Sequence, residues 1–502
     1  MYDVHEPRVL VVGGGLVGLS AALFLRHHGV RVTLVERRHG TSPQPKARRI
    51  DIRTMEAFRQ IGIADEVFEA ARDLAHYQAM AVGPTVARAE LLPFELPGVM
   101  PDWEALSPTT TCLCAQDVLE PVLRRLAEER GAQVRFGVEL TDFREDDTGI
   151  EAEVRAADGA TERLRAAYLI AADGAASPVR ERLGIRRSGR GTLGKAVTVY
   201  FRADLEDLVR GREFNLCQVE NESLAGAFAS VDGRRRWIFY GDAATDRSRE
   251  QWPDALRLAL GAPEVDIEIL SVLPWEPGMF VADEFQRGRI LLAGDAAHVM
   301  PPYAAAGANT GIQDVHDLAW KLGFVLRGAA GPELVETYAA ERHPIGWLIA
   351  DQSSIRTGNL RTMNTESADG TPLADPIALM LGTRYPAGAL IDDGSAHTLE
   401  RLDLAGQPGT RLPNATASSG RSVLDLVDTE FVLFTGPTGA AWRSAGVVVH
   451  EVDESYCATV GIESNGALLV RPDQIVAWRC PTMPARPDAT VTAVLDRILS
   501  RD

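Results

Sequence analysis

Residues 8–37 read RVLVVGGGLVGLSAALFLRHHGVRVTLVER, and this stretch decides the fold of the first part of the chain. Val9 to Val12 are apolar and mostly β-branched, which is typical of a fully buried strand. Leu19 to Arg26 have the apolar spacing of a helix, and Gly29 ends it. Val30 to Val35 form a second apolar run. The stretch therefore predicts a strand, a helix and a second strand that lies parallel to the first.

The glycines between the first strand and the helix follow the spacing G-x-G-x-x-G. Gly13 permits a tight turn, Gly15 lets a pyrophosphate approach the backbone, and Gly18 lets the helix pack closely on the strand. The amides of Leu16 and Val17 lie at the start of the helix, where backbone N–H groups bind phosphate. The motif predicts a dinucleotide site, and a glycine-rich turn without any ligand is the alternative.

An acidic residue closes the second strand. Glu36 stands at the distance from the glycines at which a carboxylate accepts hydrogen bonds from a ribose. Arg37 follows it and is a further candidate for binding the cofactor. These residues alone leave NAD and FAD open as the dinucleotide.

Three later stretches narrow that choice. Residues 45–63, PKARRIDIRTMEAFRQIGI, place Arg48 ahead of a predicted helix. Residues 168–185, YLIAADGAASPVRERLGI, run a strand into Asp173 and a glycine. Residues 294–311, GDAAHVMPPYAAAGANTG, follow the short strand RILLA and carry one acid among small residues.

Together these stretches resemble the FAD-dependent class A aromatic hydroxylases, the group typified by para-hydroxybenzoate hydroxylase. The likeness is strongest to the branch that tailors polyketides by hydroxylating polycyclic aromatic substrates, and it extends over nearly the whole chain. It implies an α/β fold with a Rossmann-like FAD-binding domain, an inserted β-sheet domain that binds the substrate, and a C-terminal thioredoxin-like domain.

The change from helical to short β patterns, read with the resemblance, gives expected limits for these parts. The FAD-binding domain is expected in residues 1–75, 105–182 and 276–355, and the substrate-binding sheet in 76–104 and 183–275. A connecting helix and linker are expected in 356–396, and the thioredoxin-like domain in 397–502.

The resemblance also implies how single residues contact FAD. Asp295 is expected to accept hydrogen bonds from the ribityl hydroxyls, with Gly294 small because the ribityl chain passes against it. The remaining candidates hold the cofactor by backbone or side chain: Arg48, Gln116, Asp173, Gly307, Ala308 and Asn309. The last three begin a helix that is expected to direct its amides at the flavin pyrimidine.

The turn after the two prolines contains the candidate catalytic residues. In the family a carbonyl of this turn faces the reactive side of the flavin, and we assign that position to Pro302. The family usually has a glycine-rich turn next, whereas this chain has Tyr303 followed by three alanines and Gly307. Two interpretations stay open: Tyr303 lines the oxygenation site, or it faces the core.

The resemblance implies a reaction that the cofactor carries out. NAD(P)H reduces FAD, O2 adds at flavin C4a, and the resulting hydroperoxide transfers oxygen to an electron-rich phenolic ring. Trp237 and Phe239 on the predicted hairpin around Asp232 are the candidates for contacting the aromatic substrate. A Baeyer–Villiger oxygen insertion on a polyketide and a redox-silent FAD-binding protein are the alternatives.

Composition excludes several other classes of function. The 502 residues include 70 acids and 52 bases, a net charge of −18 that opposes binding to nucleic acid or to an anionic membrane. We find no apolar run of the ~20 residues that a membrane helix needs and no cleavable leader, so we expect a cytoplasmic protein. The five cysteines form no C-x-x-C pair, which predicts free thiols, no metal site and a redox-silent tail. We expect that tail to be structural, with a homodimer interface as a candidate role.

Overall fold

The computed structural model describes residues 8–92, 102–222, 224–242, 247–356 and 367–501. The strands of these residues, in chain order, are β1 (Val9–Val12), β2 (Val32–Glu36), β3 (Arg49–Ile50), β4 (Ala79–Gly83), β5 (Glu90–Leu91), β6 (Cys112–Leu113), β7 (Gln133–Phe136), β8 (Val138–Asp146), β9 (Gly149–Ala156), β10 (Thr161–Ala166), β11 (Tyr168–Ala171), β12 (Arg187–Thr192), β13 (Ala196–Arg202), β14 (Phe214–Glu220), β15 (Ala225–Ser230), β16 (Arg236–Asp242), β17 (Glu268–Trp275), β18 (Gly278–Ala282), β19 (Gln286–Arg287), β20 (Ile290–Leu292), β21 (His298–Val299), β22 (Val432–Thr435), β23 (Val448–Glu451), β24 (Ala467–Val470) and β25 (Val476–Cys480).

The α-helices of the same residues are α1 (Leu16–His27), α2 (Ile52–Gln60), α3 (Ala64–Ala70), α4 (Trp103–Leu106), α5 (Gln116–Glu129), α6 (Pro178–Arg182), α7 (Glu206–Val209), α8 (Trp252–Leu260), α9 (Ala306–Leu326), α10 (Glu333–Ser354), α11 (Pro376–Leu381), α12 (Glu454–Thr459) and α13 (Pro487–Ile498). None of the described helices is long and apolar enough to span a bilayer.

A six-stranded sheet organises the first part of the chain, in the order β19-β20-β11-β1-β2-β7. Its strands are parallel except β19 at one edge. β1, β2 and β11 are completely buried, as expected for a parallel sheet with helices on both faces. The predicted β-α-β unit is confirmed, although α1 begins at Leu16 rather than at Leu19. Gly15 is thus the residue that caps the helix.

A second, seven-stranded sheet has the strand order β17-β13-β16-β15-β14-β4-β5. Its strands β15 and β16 form the predicted antiparallel hairpin around Asp232 and Gly233. One face of this sheet is covered by α8, whose Trp252 packs among the aromatic side chains of the sheet. The expected substrate-sheet segment 76–104 supplies β4 and β5, and its residues 93–101 lie outside the described part.

The last part of the chain contains a four-stranded sheet in the order β23-β22-β24-β25. β22 and β23 are parallel, and β24 and β25 form the predicted hairpin that turns at Pro472 and Asp473. All five cysteines are free thiols. The sheets and helices together confirm the expected α/β fold class.

Candidate active site

The glycine loop is held by contacts that leave no room for side chains at two of its positions. Gly13 has a φ of +110°, and a Cβ there would lie 2.2 Å from the Ala172 carbonyl oxygen. A Cβ at Gly18 would lie 1.9 Å from the Gly13 carbonyl oxygen. At Gly15 the nearest protein atom to such a Cβ is the Glu120 carboxylate oxygen at 3.6 Å. The protein therefore requires glycine at positions 13 and 18, whereas the space beside Gly15 is open.

Glu36 holds the glycine loop on β2. Its carboxylate accepts hydrogen bonds from the Gly14 amide at 2.7 Å and from the Arg38 amide at 2.9 Å. Burial alone would raise the pKa of Glu36, but the hydrogen bonds from Arg38 and Gly14 outweigh it and lower the pKa. The charged acceptor is thus maintained at the end of β2, while Arg37 beside it is exposed.

The turn after β20 packs directly on the start of α1. Gly294 has a φ of +60°, and a Cβ there would lie 2.8 Å from Val17 Cγ2. Its amide donates to Asp314 Oδ2 at 3.0 Å, and the same oxygen is 2.7 Å from His298 Nε2. Arg342 Nε donates to the other oxygen of Asp314 at 2.9 Å. Asp314, buried on α9, therefore fixes the turn that presents the next residue.

That next residue, Asp295, combines an accessible side chain with a deep position. Solvent reaches the side chain, and yet protein surrounds it, since burial raises the pKa of the carboxyl while His298 and Lys46 lower it. Within the described residues the Asp295 carboxylate accepts no hydrogen bond. Gly307 at the start of α9 lies nearby, because a Cβ there would be 4.0 Å from Asp295 Oδ1. Asp295 is thus an exposed carboxylate beside the start of α9, without a hydrogen-bond donor among the described residues.

Arg48, a predicted cofactor contact, is bound to the seven-stranded sheet. Arg48 is buried, and both of its Nη atoms donate to the Asn215 carbonyl oxygen on β14, at 3.2 and 3.0 Å. Lys46, two residues earlier and not predicted, is the cation close enough to lower the pKa of Asp295. Lys46 is thus near Asp295, whereas the Arg48 guanidinium is bound to β14. Contact of Arg48 with the cofactor stays a prediction, and Lys46 is a further candidate.

Gln116 and Asp173 act on neighbouring backbone. Gln116 Nε2 donates to Glu120 at 2.6 Å, and its own amide donates to the Ala47 carbonyl at 2.8 Å. This contact holds the segment that carries Lys46 against α5. Asp173 Oδ2 accepts from the Val179 amide at 3.1 Å, so it caps the short helix α6.

The loop after the prolines has an unusual backbone at Ala305. Its φ of +56° is in the left-handed region, which favours glycine. Asn309, which is buried, holds this loop with its side chain: Nδ2 donates to the Ala305 and Arg49 carbonyls at 3.0 and 3.1 Å. Its Oδ1 accepts from the Asp51 amide at 3.0 Å. The side chain of Asn309 thus makes its hydrogen bonds within the protein. The backbone amides of Asn309 and Ala308, at the start of α9, are left for contact with a ligand.

Within this loop, the ring of Tyr303 packs against a cation. The Arg356 guanidinium carbon is 4.8 Å from the centre of the Tyr303 ring. Burial raises the pKa of the Tyr303 phenol, while Arg356 and Arg49 lower it. The side chain keeps partial solvent access. Tyr303 is therefore a partly open side chain, and Pro302 directly precedes it at the start of the 3-10 turn.

Comparison with known proteins gives matches of sequence and fold over nearly the entire chain. The family model described as an FAD binding domain matches residues 6–353, and the one described as the C-terminal part of aromatic-ring hydroxylases matches 405–501. The chain belongs to the FAD-dependent aromatic hydroxylases. A tetracenomycin A2 monooxygenase-dioxygenase of Streptomyces glaucescens is 39% identical, over 99% of this chain and 98% of its own. A 4-methyl-5-nitrocatechol 5-monooxygenase of a Burkholderia species is 36% identical, over 99% and 98%.

A solved structure gives the same result for the fold. Aklavinone-11 hydroxylase, in a ternary complex with FAD and aklavinone, superposes with a TM-score of 0.90 and 34% identity over 100% of both chains. The enzyme is thus an FAD-dependent monooxygenase. Its residues fit the cofactor, because Asp295 offers an unused acceptor, Gly15 leaves open space at a helix terminus, and Gly13 and Gly18 admit no side chain.

The seven-stranded sheet of the enzyme has two distinct faces. Trp237 and Phe239 are completely buried on the face covered by α8, where Phe239 lies 6.1 Å from Trp252 between ring centres. Ile238 and Tyr240 lie on the opposite face, since side chains alternate along a strand. Ile238 packs with Ala115 at the start of α5, and Tyr240 borders the same cluster. The substrate contacts predicted at Trp237 and Phe239 are therefore not retained, and this second face is the one turned toward the FAD-binding domain.

Several polar side chains of the enzyme share the property found at Asp295. Arg49, Asp51, Tyr240 and Tyr303 keep partial solvent access, although burial shifts the pKa of each one. Arg49 is close enough to Tyr303 to lower the pKa of its phenol, and Asn309 links β3 to the loop after the prolines. We propose that these residues and Asp295 line an interior cleft for FAD and substrate, between β3, that loop and the second face of the seven-stranded sheet. Among described residues, no group of His, Cys, Asp and Glu could hold a metal there or elsewhere.

Asp51 makes the stability of the protein depend on pH. Burial raises the pKa of this carboxyl to about 6, although the Thr54 amide donates to it at 2.7 Å. The folded protein then takes up this proton before the unfolded chain does, so Asp51 costs stability above pH 6 and this cost disappears as the pH falls through about 6 toward 4. We expect Asp51→Asn, which keeps an acceptor for the helix cap, to stabilise the apoprotein at pH 7.5 by up to about 2 kcal/mol. Urea denaturation at pH 7.5 and pH 4.5 measures this, and an equal effect of the substitution at both pH values would contradict it.

Proposed function

We propose that the enzyme hydroxylates a polycyclic aromatic substrate of the polyketide type, with NAD(P)H and O2 as co-substrates. The end-to-end match to a hydroxylase whose structure contains FAD and aklavinone carries this proposal. The relative named for tetracenomycin A2 supports the same substrate class. The sheet face that bears Tyr240 and the open side of Tyr303 provide an aromatic-lined cleft for a flat ring system.

The chain's own residues would hold FAD in separate places along the site. The first-turn amides of α1 would bind the pyrophosphate, Glu36 a ribose, Asp295 the ribityl hydroxyls, and the first-turn amides of α9 the flavin. Bound FAD supplies the activation of O2, with electrons from NAD(P)H. Arg37, Gln116 and Asp173 keep their proposed roles near the cofactor, the latter two through the backbone segments that they hold.

The protein would orient the substrate ring and exclude water around it. The carbonyl of Pro302 would face the flavin, and Asn309 fixes the loop after it against β3 and the adjacent Asp51 by three hydrogen bonds. Asp314 keeps the Gly294 turn in place from behind. These contacts provide a rigid frame, which is how a hydroxylase positions one ring carbon for attack.

Product analysis tests the proposed reaction. The purified enzyme would be incubated with NADPH or NADH, ¹⁸O2 and a panel of anthraquinone and tetracenone phenols, and the products weighed and fragmented. We expect one labelled oxygen in a new phenolic hydroxyl. A labelled lactone would establish Baeyer–Villiger chemistry instead. Consumption of neither reduced nicotinamide nor O2 by any member of the panel would contradict a monooxygenase of this substrate class.

Tyr303 provides a second test, of positioning within the cleft. If the hydroxyl of Tyr303 contacts the substrate, we expect Tyr303→Phe to lower the product formed per NAD(P)H oxidised at least twofold, because a displaced ring lets reduced oxygen escape as hydrogen peroxide. FAD affinity should stay unchanged. Paired assays of product and hydrogen peroxide measure the ratio, and wild-type coupling in both Tyr303→Phe and Tyr303→Ala would assign the residue to the scaffold.

We also propose that the domain limits expected from the sequence describe this chain. The two family models, at residues 6–353 and 405–501, support a boundary within the linker expected at 356–396. Residues 357–366 of that linker lie outside the described part, and α11 forms within its remainder.

A further inference from the structure

Arg48 is a buried cation whose only hydrogen-bond partners are neutral. Its exposed fraction is 7%, and its guanidinium donates to the carbonyl and to the side-chain Oδ1 of Asn215, the latter at 2.6 Å. Its Nε is buried and has no hydrogen-bond partner. No carboxylate of the described residues forms an ion pair with it.

Three other buried arginines of the enzyme have carboxylate partners, whereas buried Arg180, like Arg48, donates to carbonyl oxygens. Arg342 pairs with Asp314 at 2.9 Å, Arg411 pairs with Glu56, and Arg471 is 2.7 Å from Asp317. A buried charge without a counter-ion is costly, because its lost hydration is not replaced by an ion pair. The protein bears this cost at Arg48. A counter-ion that arrives with a ligand would remove it.

The position of Arg48 shows where such a ligand would lie. The guanidinium is close enough to Tyr240 to lower the pKa of that phenol, against the effect of burial. Tyr240 is paired across the sheet with Thr198 on one side and Ala227 on the other, and directly opposite residues share a face. The indole N–H of Trp275 donates to Thr198 Oγ at 3.0 Å. Arg48 therefore adds a positive charge to the face of the sheet that borders the interior cleft.

We propose that Arg48 and Tyr240 form the subsite that binds one ring hydroxyl of the substrate as its phenolate, with Asn215 holding the guanidinium in position. This proposal rests on the proposed hydroxylation and specifies the chemistry of its substrate. The O–H bond of the hydroxyl breaks, its proton leaves to water in the cleft, and the negative oxygen accepts hydrogen bonds from the guanidinium and from the Tyr240 hydroxyl. A phenolate ring is more electron-rich at its ortho and para carbons, which are the carbons that a hydroxylase attacks.

Asn215→Asp is the sharpest test because it changes only the charge beside Arg48. The new carboxylate would stand at the position of Oδ1, 2.6 Å from the guanidinium, and would neutralise it without altering shape. The probe is alizarin, a dihydroxyanthraquinone whose phenolate absorbs to the red of oxidised flavin. With FAD-loaded enzyme we expect the pKa of bound alizarin to lie at least about one unit lower in wild type than in Asn215→Asp, and its affinity at pH 7 to fall about tenfold in the variant. Thermal stability should not fall.

Arg212→Gln is the matched control, because this arginine of the same sheet domain also binds only carbonyl oxygens, at Val86, Leu208 and Ala89. It should leave the bound pKa of alizarin unchanged, whereas Arg48→Gln should raise it as Asn215→Asp does. A second probe, anthraquinone-2-carboxylate, shows which kind of anion the subsite binds. If this probe loses affinity in both the Arg48 and the Asn215 variants and alizarin does not, the subsite takes an aryl carboxylate and the phenolate assignment is wrong. Equal ionisation of alizarin in wild type and both variants overturns the subsite. These titrations need no turnover, so a failure of hydroxylation itself is seen separately in the product assay.

Discussion

Arg471→Met should destabilise the enzyme by about 3–5 kcal/mol, because it removes a buried cation that serves three carboxylates. The guanidinium lies 2.7 Å from Asp317 and 2.8 Å from Glu341, and it also pairs with Asp473. Lys321 is the second cation, 2.8 Å from both Asp317 and Glu341. With Arg471 gone, one buried lysine would face carboxylates from three segments. Urea denaturation of the apoprotein measures the loss.

Burial and the two cations act in opposite directions on the carboxyl groups of this cluster. Burial raises the pKa of Asp317 well above its usual value, and the neighbouring carboxylates add to this effect. Burial would also raise the pKa of Glu341, but Arg471 and Lys321 outweigh it and lower the pKa to about 2. Lys321 and Arg471 oppose this rise in the pKa of Asp317. The cluster joins α9 and α10 to the hairpin of the C-terminal sheet.

Arg125→Met is the control for this prediction. Arg125 pairs with Glu129 at 2.8 Å on the exposed surface of α5, where water and salt weaken the attraction. It removes the same chemical group, yet we expect a much smaller change in the free energy of unfolding. Similar losses in the two variants would show that the buried cluster contributes no more than a surface pair.

Gly15→Ala should raise the dissociation constant for FAD at least about tenfold while leaving the apoprotein nearly as stable as wild type. The added Cβ would be 3.6 Å from its nearest protein neighbour, an ordinary contact, and Gly15 has a φ of −84° that alanine adopts freely. The only group that the methyl would displace is the pyrophosphate proposed for this helix terminus. Flavin fluorescence titration and urea denaturation provide the two measurements.

Two other glycines give the matched comparisons. Gly18→Ala would place a Cβ 1.9 Å from the Gly13 carbonyl oxygen, so we expect it to reduce both stability and FAD affinity. Gly40→Ala meets no atom within 4 Å and should change neither. If Gly15→Ala bound FAD as tightly as Gly40→Ala does, the pyrophosphate would not lie at this helix terminus.

Local sequence patterns predicted the secondary-structure elements whose own residues indicate a strand, a helix or a turn. The β-α-β unit around Gly13 follows from apolar runs and glycine spacing, which act over a few residues. The hairpins at Asp232 and at Pro472 follow from turn residues between alternating strands. The order of the glycine motif, Asp173 and Asp295 pointed to the family that the full-length comparisons show.

The loop at Ala305 shows a limit of those patterns. A run of alanines favours a helix, and a left-handed turn residue is usually glycine. In the structure one of these alanines adopts a φ of +56°, held by the hydrogen bond from Asn309 to its carbonyl. A tertiary contact thus imposes a backbone conformation that the residue itself disfavours.

By itself, the sequence determined the fold class, the glycine loop and the cofactor, because each depends on residues close together in the chain or on motifs in a fixed order. Only the tertiary structure decided which side chains face the cleft. Strand alternation separates Trp237 from Tyr240, but the packing of α8 decides which of the two faces is core. The tertiary structure likewise brings Lys46 near Asp295 and Arg48 to Asn215, which the spacing of these basic residues does not indicate. Arg471 meets its partners on α9 and α10 across more than a hundred residues of sequence, a distance at which charge spacing along the chain carries no information.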